Sequence, residues 1–138
     1  MSKIIIYLVF FSASAIGVTG GGSTQPPSYS KKWHEADYVD HNCKGELEYI
    51  LPDRTRVDCL TDTHAIEYDY SHKWAESIGQ SLYYSAMTGK KAGIVLIVDP
   101  ADNGRYLKRL NKAIKDKCLQ IDVSVINIHD KNNEIRKK

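Results

Sequence analysis

The chain has 138 residues, a length that fits one compact domain with little to spare. With 42% hydrophobic and 26% charged residues, its composition is ordinary for a globular protein and excludes a chain that is disordered throughout. The formal net charge of +2 neither requires nor excludes a nucleic-acid partner.

The N-terminus has the pattern of a processing signal. Lys3 supplies a positive charge, an apolar run begins at Ile4, and residues 13–15 match a small-x-small cleavage site. The apolar run ends at Val18 and is shorter than the roughly 20 residues of a membrane-spanning helix, which favours a cleaved signal over an uncleaved anchor. Residues 1–15 are therefore predicted to be a signal peptide, and the mature protein is expected to be periplasmic or secreted. A cytoplasmic protein would have to keep this N-terminus.

The remaining chain divides into three parts. Residues 16–30 are rich in Gly, Ser and Pro and predict a flexible linker. A folded domain is expected over residues 31–130, followed by a basic tail at residues 131–138. Because the signal contains Lys3 and no acid, its removal lowers the net charge from +2 to +1. After cleavage, no stable membrane association is expected.

The three cysteines are Cys43, Cys59 and Cys118. A secreted chain permits one disulfide with one thiol left over, and all three pairings remain open at the level of sequence. No C-x-x-C pair is present, which argues against a structural zinc site.

Hydrophobic periodicity predicts eight elements in the order α-β-β-β-α-β-α-β. They are a helix over residues 31–39, strands over 46–51, 56–61 and 65–70, a helix over 73–87, a strand over 93–98, a helix from 103 or 104 to about 119, and a strand over 122–128. The strand at 93–98 is continuously apolar, as is typical of a strand buried on both faces. Three consecutive strands followed by β-α-β units predict an α/β fold with a central mixed sheet flanked by helices.

Acidic residues of the first three strands are predicted to form a row. A two-residue loop after the second strand places Asp58 opposite Glu67, and a three-residue loop with Arg54 at positive φ places Glu48 opposite Asp58. Asp69 follows two residues beyond Glu67. Directly opposed carboxylates lie roughly 4.5–5.5 Å apart and repel each other, so a row of them favours a divalent cation site. The competing explanation is a solvent-facing strand surface, and a slip of one residue in register would move a side chain to the other face.

The order of these motifs resembles the PD-(D/E)xK nuclease superfamily, in its RecB-like branch with a Q-x-x-x-Y motif. Asp58 matches the Asp of the second strand, Glu67 the acid of the third strand, and Gln80 and Tyr84 the pair on the following helix. The resemblance implies a restriction-endonuclease-like α-β-β-β-α-β core. The chain departs from the family at Asp69, which stands where the motif has lysine.

The resemblance also implies a cofactor, Mg²⁺ or Mn²⁺, and a role for each site residue. The expected metal ligands are Asp58, Glu67, the assisting Glu48 and the carbonyl oxygen of Tyr68, with Glu35 ranked below Glu48. Either Asp69 or Lys73 is expected to position the attacking water, while Gln80 and Tyr84 hold the substrate. At about 100° per residue, Lys73, Gln80 and Tyr84 share one side of their helix.

The implied activity is metal-dependent cleavage of nucleic acid, DNA or RNA. Basic residues near positions 105–117 are expected to contact backbone phosphates. A domain this small would often need to form a homodimer in order to grip two strands, an argument from analogy. The absent motif lysine favours a second hypothesis, a binding module that keeps the fold without the chemistry.

Overall fold

The computed structural model describes residues 32–130 and 132–137, so the predicted signal peptide and linker lie outside the described residues. The helices and strands, in chain order, are α1 (Glu35–Asn42), β1 (Glu46–Ile50), β2 (Arg56–Leu60), β3 (His64–Tyr70), α2 (Trp74–Thr88), β4 (Lys91–Val98), α3 (Arg105–Asp116), β5 (Ile121–Asn127) and β6 (Arg136–Lys137). Short 3₁₀ turns, Ser71–Lys73 and Pro100–Asp102, precede α2 and α3. The predicted order of eight elements is confirmed, with one strand added at the end.

The strands form one mixed sheet in the order β1-β2-β3-β4-β5-β6. The three central strands β3, β4 and β5 run parallel, while the pairs at both edges are antiparallel. Since helices connect the parallel strands, the structure belongs to the α/β class, as the sequence predicts.

Two boundaries differ from the sequence prediction. The first helix begins at Glu35 rather than at residue 31, because the His34 backbone N–H donates a hydrogen bond of 2.8 Å to Asp37 Oδ2 and caps the helix there. The segment predicted as a basic tail contributes β6. The Asn42 side chain holds this segment near α1 by bonding Asn133 O and the Ile135 backbone N–H.

Both hairpin registers agree with the prediction. In the β2–β3 hairpin, Leu60 lies opposite Ala65. In the β1–β2 hairpin, Leu51 and Thr55 close a three-residue loop through a backbone bond of 2.8 Å, and Arg54 has a φ of 71°. A loop of this length needs one left-handed residue, which is why Arg54 adopts it although it is not glycine.

The predicted alternation along β2 is wrong around Asp58. Regular alternation would place Val57 and Cys59 on one face of the sheet, but Val57 packs with Tyr84 of α2, whereas Cys59 packs on the α1 side. Asp58 Oδ2 accepts a 2.8 Å hydrogen bond from the Tyr68 backbone N–H. In regular strand pairing, a backbone carbonyl would accept this hydrogen bond. Here a side chain accepts it, at the point where the alternation breaks.

Apolar residues fill both faces of the sheet. The α1 side contains a cluster of buried residues, Tyr38, Val39, Cys59, Tyr68, Val95, Ile97 and Ile126. On the opposite side, α2 and α3 cover a second cluster of buried residues. It consists of Ala92, Ile94, Leu96, Leu107, Leu110, Ile121 and Val125. A disulfide between Cys43 and Cys59 fastens the end of α1 to β2. None of the described helices has both the length and the apolar character needed to span a membrane.

Candidate metal and phosphate site

A cleft of about 520 Å³ opens between β3, the β1–β2 hairpin and the first turns of α2. We call it the acidic cleft because its polar lining includes Glu35, Asp58, Glu67, Asp69, Lys73, Glu76, Gln80 and Tyr84. Six of these residues are the ones that the sequence predicts for catalysis, metal binding or substrate binding. The structure therefore brings together residues from β2, β3 and α2 that are up to 26 positions apart, as Asp58 and Tyr84 are.

One predicted ligand, Glu48, lies outside the acidic cleft. Glu48 has a φ of 55° and forms an ion pair with Arg56, and its side chain lines a separate cleft between α1 and β1. Its position opposite Asp58 in the register does not bring it into the acidic cleft, because the backbone is distorted at both residues. The Tyr68 side chain is buried on the α1 side, so only its carbonyl oxygen is relevant to the predicted role.

Glu35 occupies the position that the sequence analysis expected of Glu48. As the first residue of α1 it lines the acidic cleft, and its Oε2 lies 3.5 Å from Lys73 Nζ. Burial raises the pKa of Glu35, and the positive charge of Lys73 opposes this rise. The ranking of Glu48 above Glu35 is therefore reversed by the geometry.

Glu67 has a more strongly raised pKa than the neighbouring Asp58 in the cleft. It is only 5% exposed, and its Oε2 is buried without a hydrogen-bond partner among the described residues. Burial, with the nearby carboxylates of Asp58, Asp69 and Glu35, raises the pKa of Glu67 to about 9. In the absence of a compensating cation, this side chain is therefore protonated at neutral pH.

Asp58 lies beside Glu67, but one of its carboxylate oxygens accepts a hydrogen bond from the backbone. Burial raises the pKa of Asp58 to about 6, although the hydrogen bond from the Tyr68 N–H opposes this rise. The two carboxyl groups thus titrate in different ranges and interact with each other. Such a pair is a common feature of sites that bind cations or transfer protons.

Asp69 and Lys73 form a linked pair across the β3–α2 junction. Lys73 Nζ lies 2.9 Å from Asp69 Oδ1, while Ser77 Oγ donates a 3.0 Å hydrogen bond to Asp69 Oδ2. The Asp69 side chain is nearly inaccessible, whereas the Lys73 side chain is 39% exposed and reaches the cleft. The hydrogen bond to Asp69 raises the pKa of Lys73 above its ordinary range, so the amine stays charged.

Gln80 and Tyr84 form the α2 wall of the cleft, one helical turn apart. Gln80 Oε1 is buried without a hydrogen-bond partner among the described residues. Burial raises the pKa of Tyr84, and the Glu67 carboxylate raises it further. As predicted, both point away from the apolar side of α2, where Trp74 and Ile78 pack toward β4 and α3.

Sequence reasoning missed several further residues of the site. Glu76 and Arg54 line the cleft, and Ser77 holds Asp69. Glu76 lies three positions after Lys73 and four before Gln80, a helical spacing that could have identified it. The roles of Arg54 and Ser77 depend on tertiary contacts and have no local signal.

The donor set fits an oxygen-liganded divalent cation in its chemistry. Mg²⁺ and Mn²⁺ take carboxylate and carbonyl oxygens, and the Oε2 of Glu67, which has no hydrogen-bond partner among the described residues, is an oxygen of this type. Across the described residues, no three His, Cys, Asp or Glu side chains are already spaced to hold a metal ion.

Comparison with known proteins provides no relative from which a role for this site could be inferred. No family model matches the chain, and no curated protein and no solved structure matches it either.

Proposed function

We propose that the protein is a metal-dependent phosphodiesterase that cleaves nucleic acid, built on a restriction-endonuclease-like core of the PD-(D/E)xK type. The observation that carries the proposal is the buried Glu67 carboxyl group, which lacks a partner for one oxygen and lies beside Asp58. A folded protein keeps such a group only at a cost, and a bound cation would remove it.

The ligands in this proposal are Asp58, Glu67 and the carbonyl oxygen of Tyr68. When bound there, Mg²⁺ or Mn²⁺ supplies a Lewis acid that polarises a phosphoryl oxygen and lowers the pKa of an attacking water. Asp58 is already oriented by the Tyr68 N–H, so part of the ligand set is preorganised. Glu35, which also lines the cleft, adds negative charge that favours a cation there.

In this proposal, Lys73 performs the role of the motif lysine, because the chain has Asp69 at the position where the motif has lysine. Its amine stays charged, reaches the cleft and is held by Asp69, which is itself held by Ser77. Lys73 thus orients water or stabilises negative charge on the phosphate, and Asp69 is its positioning residue. Arg54, on the hairpin side of the cleft, provides a second cation for a phosphate.

The predicted location outside the cytoplasm is part of this proposal. The Cys43–Cys59 disulfide supports it, because disulfides persist in oxidising compartments. Mass spectrometry of the N-terminus tests it, since a cleaved signal would leave a chain that begins near residue 16.

The test is cleavage of single- and double-stranded DNA and RNA by the purified protein with Mg²⁺ or Mn²⁺. Wild type should cleave at least one substrate, while Asp58→Asn and Glu67→Gln should lower the rate by at least about a hundredfold. Glu46→Gln is the matched control, because Glu46 is an exposed acid on β1 outside the cleft. A folded wild type that cleaves none of the four substrates would refute the proposed activity.

A binding module without catalysis is the second candidate. It is favoured by the two carboxylates of Asp69 and Glu35 around Lys73, since they reduce the charge that this lysine offers to a phosphate. A binding module need show no stabilisation by Mg²⁺ or Mn²⁺, whereas a native metal site raises the melting temperature progressively as the metal concentration exceeds the dissociation constant.

A further inference from the structure

A second cleft lies next to the acidic cleft, at the carboxyl ends of β3 and β4. This loop cleft has a volume of about 400 Å³. Its polar lining comprises Ser71, His72, Asp99, Asp102, Arg105 and Tyr106. The 3₁₀ turn Ser71–Lys73 separates the clefts: Lys73 lines the acidic cleft, and the two residues before it line the loop cleft. A ligand that leaves the acidic cleft over this turn therefore enters the loop cleft directly.

Two flat, polar groups border the loop cleft. The His72 ring is exposed and is stacked on Tyr70, with ring centroids 6.1 Å apart and planes inclined by 14°. The Arg105 guanidinium lies over the Tyr106 ring, 4.5 Å from its centroid, and donates a 2.7 Å hydrogen bond to its hydroxyl. Each flat group is thus backed by an aromatic ring. Imidazole rings and guanidinium planes are the surfaces on which proteins stack unpaired bases.

The charges around the loop cleft favour a base inside it and a phosphate at its edge. Asp102 is occupied by the Ser71 hydroxyl and the Gly104 N–H, at 2.8 and 2.6 Å, and Asp99 accepts from the Ala101 N–H at 2.8 Å. These carboxylates fix the loop and would repel a phosphate at the floor of the cleft. Arg105 forms no ion pair with an acid of the described residues, so its charge is available at the edge.

Positive charge continues from this edge along α3. Lys108, Arg109 and Lys115 are exposed and likewise have no ion-pair partner in the part of the chain that the structure describes. Arg54 supplies a cation at the other end, on the hairpin side of the acidic cleft. Cations therefore lie on both sides of the carboxylates, as a linear polyanion that crosses the acidic cleft requires.

We infer that the protein binds single-stranded nucleic acid along this path, with one unpaired base stacked in the loop cleft between His72 and Arg105. The inference rests on the proposed function, because the path of the strand starts from cleavage in the acidic cleft. It limits the proposed substrate to single strands or single-stranded ends. A duplex does not fit this description, because its bases are paired and stacked on each other.

The experiment measures binding separately from cleavage. Fluorescence anisotropy of a short fluorescein-labelled oligothymidylate, and of a duplex of equal length, is recorded for the full chain in EDTA. Wild type should bind the single strand more tightly than the duplex. His72→Ala should weaken single-strand binding by about tenfold, as loss of one stacked base predicts, and His72→Phe should restore most of it.

Arg105→Lys separates stacking from charge. Lysine keeps the positive charge but lacks the flat guanidinium, so binding should weaken by about fivefold while its salt dependence stays unchanged. Arg105→Ala should additionally lower the slope of log affinity against log salt by about one. Lys44→Gln, an exposed lysine between α1 and β1 that lines neither cleft, is the control and should leave the preference for single strands unchanged.

Three results would overturn the inference. They are no binding of the single strand in EDTA, equal binding of the duplex, and wild-type affinity in both His72→Ala and Arg105→Lys. Failure of the nuclease proposal is distinguishable, because it would show as His72-dependent binding without cleavage when Mg²⁺ or Mn²⁺ is added. Cleavage without any effect of these substitutions would leave the nuclease proposal intact and remove the loop cleft from it.

Discussion

Replacing Glu67 by glutamine should make the metal-free protein more stable at neutral pH, although it removes a proposed ligand. Glutamine has nearly the same shape as glutamate but does not ionise. In the wild type, burial and the neighbouring acids raise the pKa of Glu67 from 4.5 to about 9. The folded protein therefore holds a proton that the unfolded chain releases, and the free energy of unfolding falls as pH rises through this interval.

The size of the effect follows from the width of that interval. Each pKa unit corresponds to about 1.36 kcal/mol, so between pH 4.5 and pH 7 the wild type loses about 3 kcal/mol through Glu67. Burying a glutamine amide with one group unpaired costs about 1 kcal/mol. We therefore expect Glu67→Gln to be about 2 kcal/mol more stable than wild type at pH 7, and no more stable than wild type near pH 4.5.

Urea denaturation in EDTA between pH 4.5 and pH 8.5 measures this difference. Glu46→Gln, the exposed control, should follow the wild-type curve. Adding Mg²⁺ should then reverse the order: at a hundredfold excess over the dissociation constant it stabilises a native site by about 2.7 kcal/mol, and Glu67→Gln should gain little. If the difference between Glu67→Gln and wild type does not grow with pH, Glu67 is not held in its protonated form and the reasoning fails.

Three further predictions concern the supports of the site. Removing the disulfide with Cys43→Ala and Cys59→Ala should lower the free energy of unfolding by about 3 kcal/mol in urea, the value expected for a loop of this length. Lys73→Met should lower stability by about 1–2 kcal/mol, because Asp69 loses its cation, and should abolish cleavage, whereas Lys73→Arg should keep part of both. Ser77→Ala should cost about 1 kcal/mol and slow cleavage less than tenfold, because it removes one bond to Asp69.

Each of these predictions has its own control. A reducing agent should destabilise wild type and leave the variant without the disulfide unchanged. Lys112→Met removes a lysine that pairs with Asp116 on the surface of α3, and it should change stability by less than about 0.5 kcal/mol. A Ser77→Ala protein that loses all cleavage while keeping its stability would show that Ser77 does more than hold Asp69.

The order of the elements and both hairpin registers could be predicted because local rules determine them. Periodicity distinguishes strands from helices, and a loop of two or three residues leaves few ways to pair the strands that it joins. Even the positive φ of Arg54 follows from loop length. Lys73, Gln80 and Tyr84 could likewise be placed on one side of α2 from helix geometry alone.

The parts that could not be predicted depend on contacts between distant segments. Glu48 is removed from the cleft because the backbone is distorted at Asp58 and at Glu48 itself, and alternation assumes a regular strand. Glu35 enters because α1 begins four residues later than its apolar spacing indicates. The choice of Cys43 and Cys59 as the disulfide pair depends on the end of α1 lying against β2.

The pairing of Asp69 with Lys73 explains how a cation reaches the cleft although position 69 carries an acid. Lysine at position 69 would be on a buried part of β3, where Asp69 is only 1% exposed. An acid there accepts from Ser77 and holds the amine of Lys73, which lies four residues later and reaches the cleft from the start of α2. This pairing places one positive charge at the cleft and a buried negative charge next to it. The negative charge of Asp69 also raises the pKa of Glu67, so an acid at position 69 strengthens the need for a cation at the neighbouring acid.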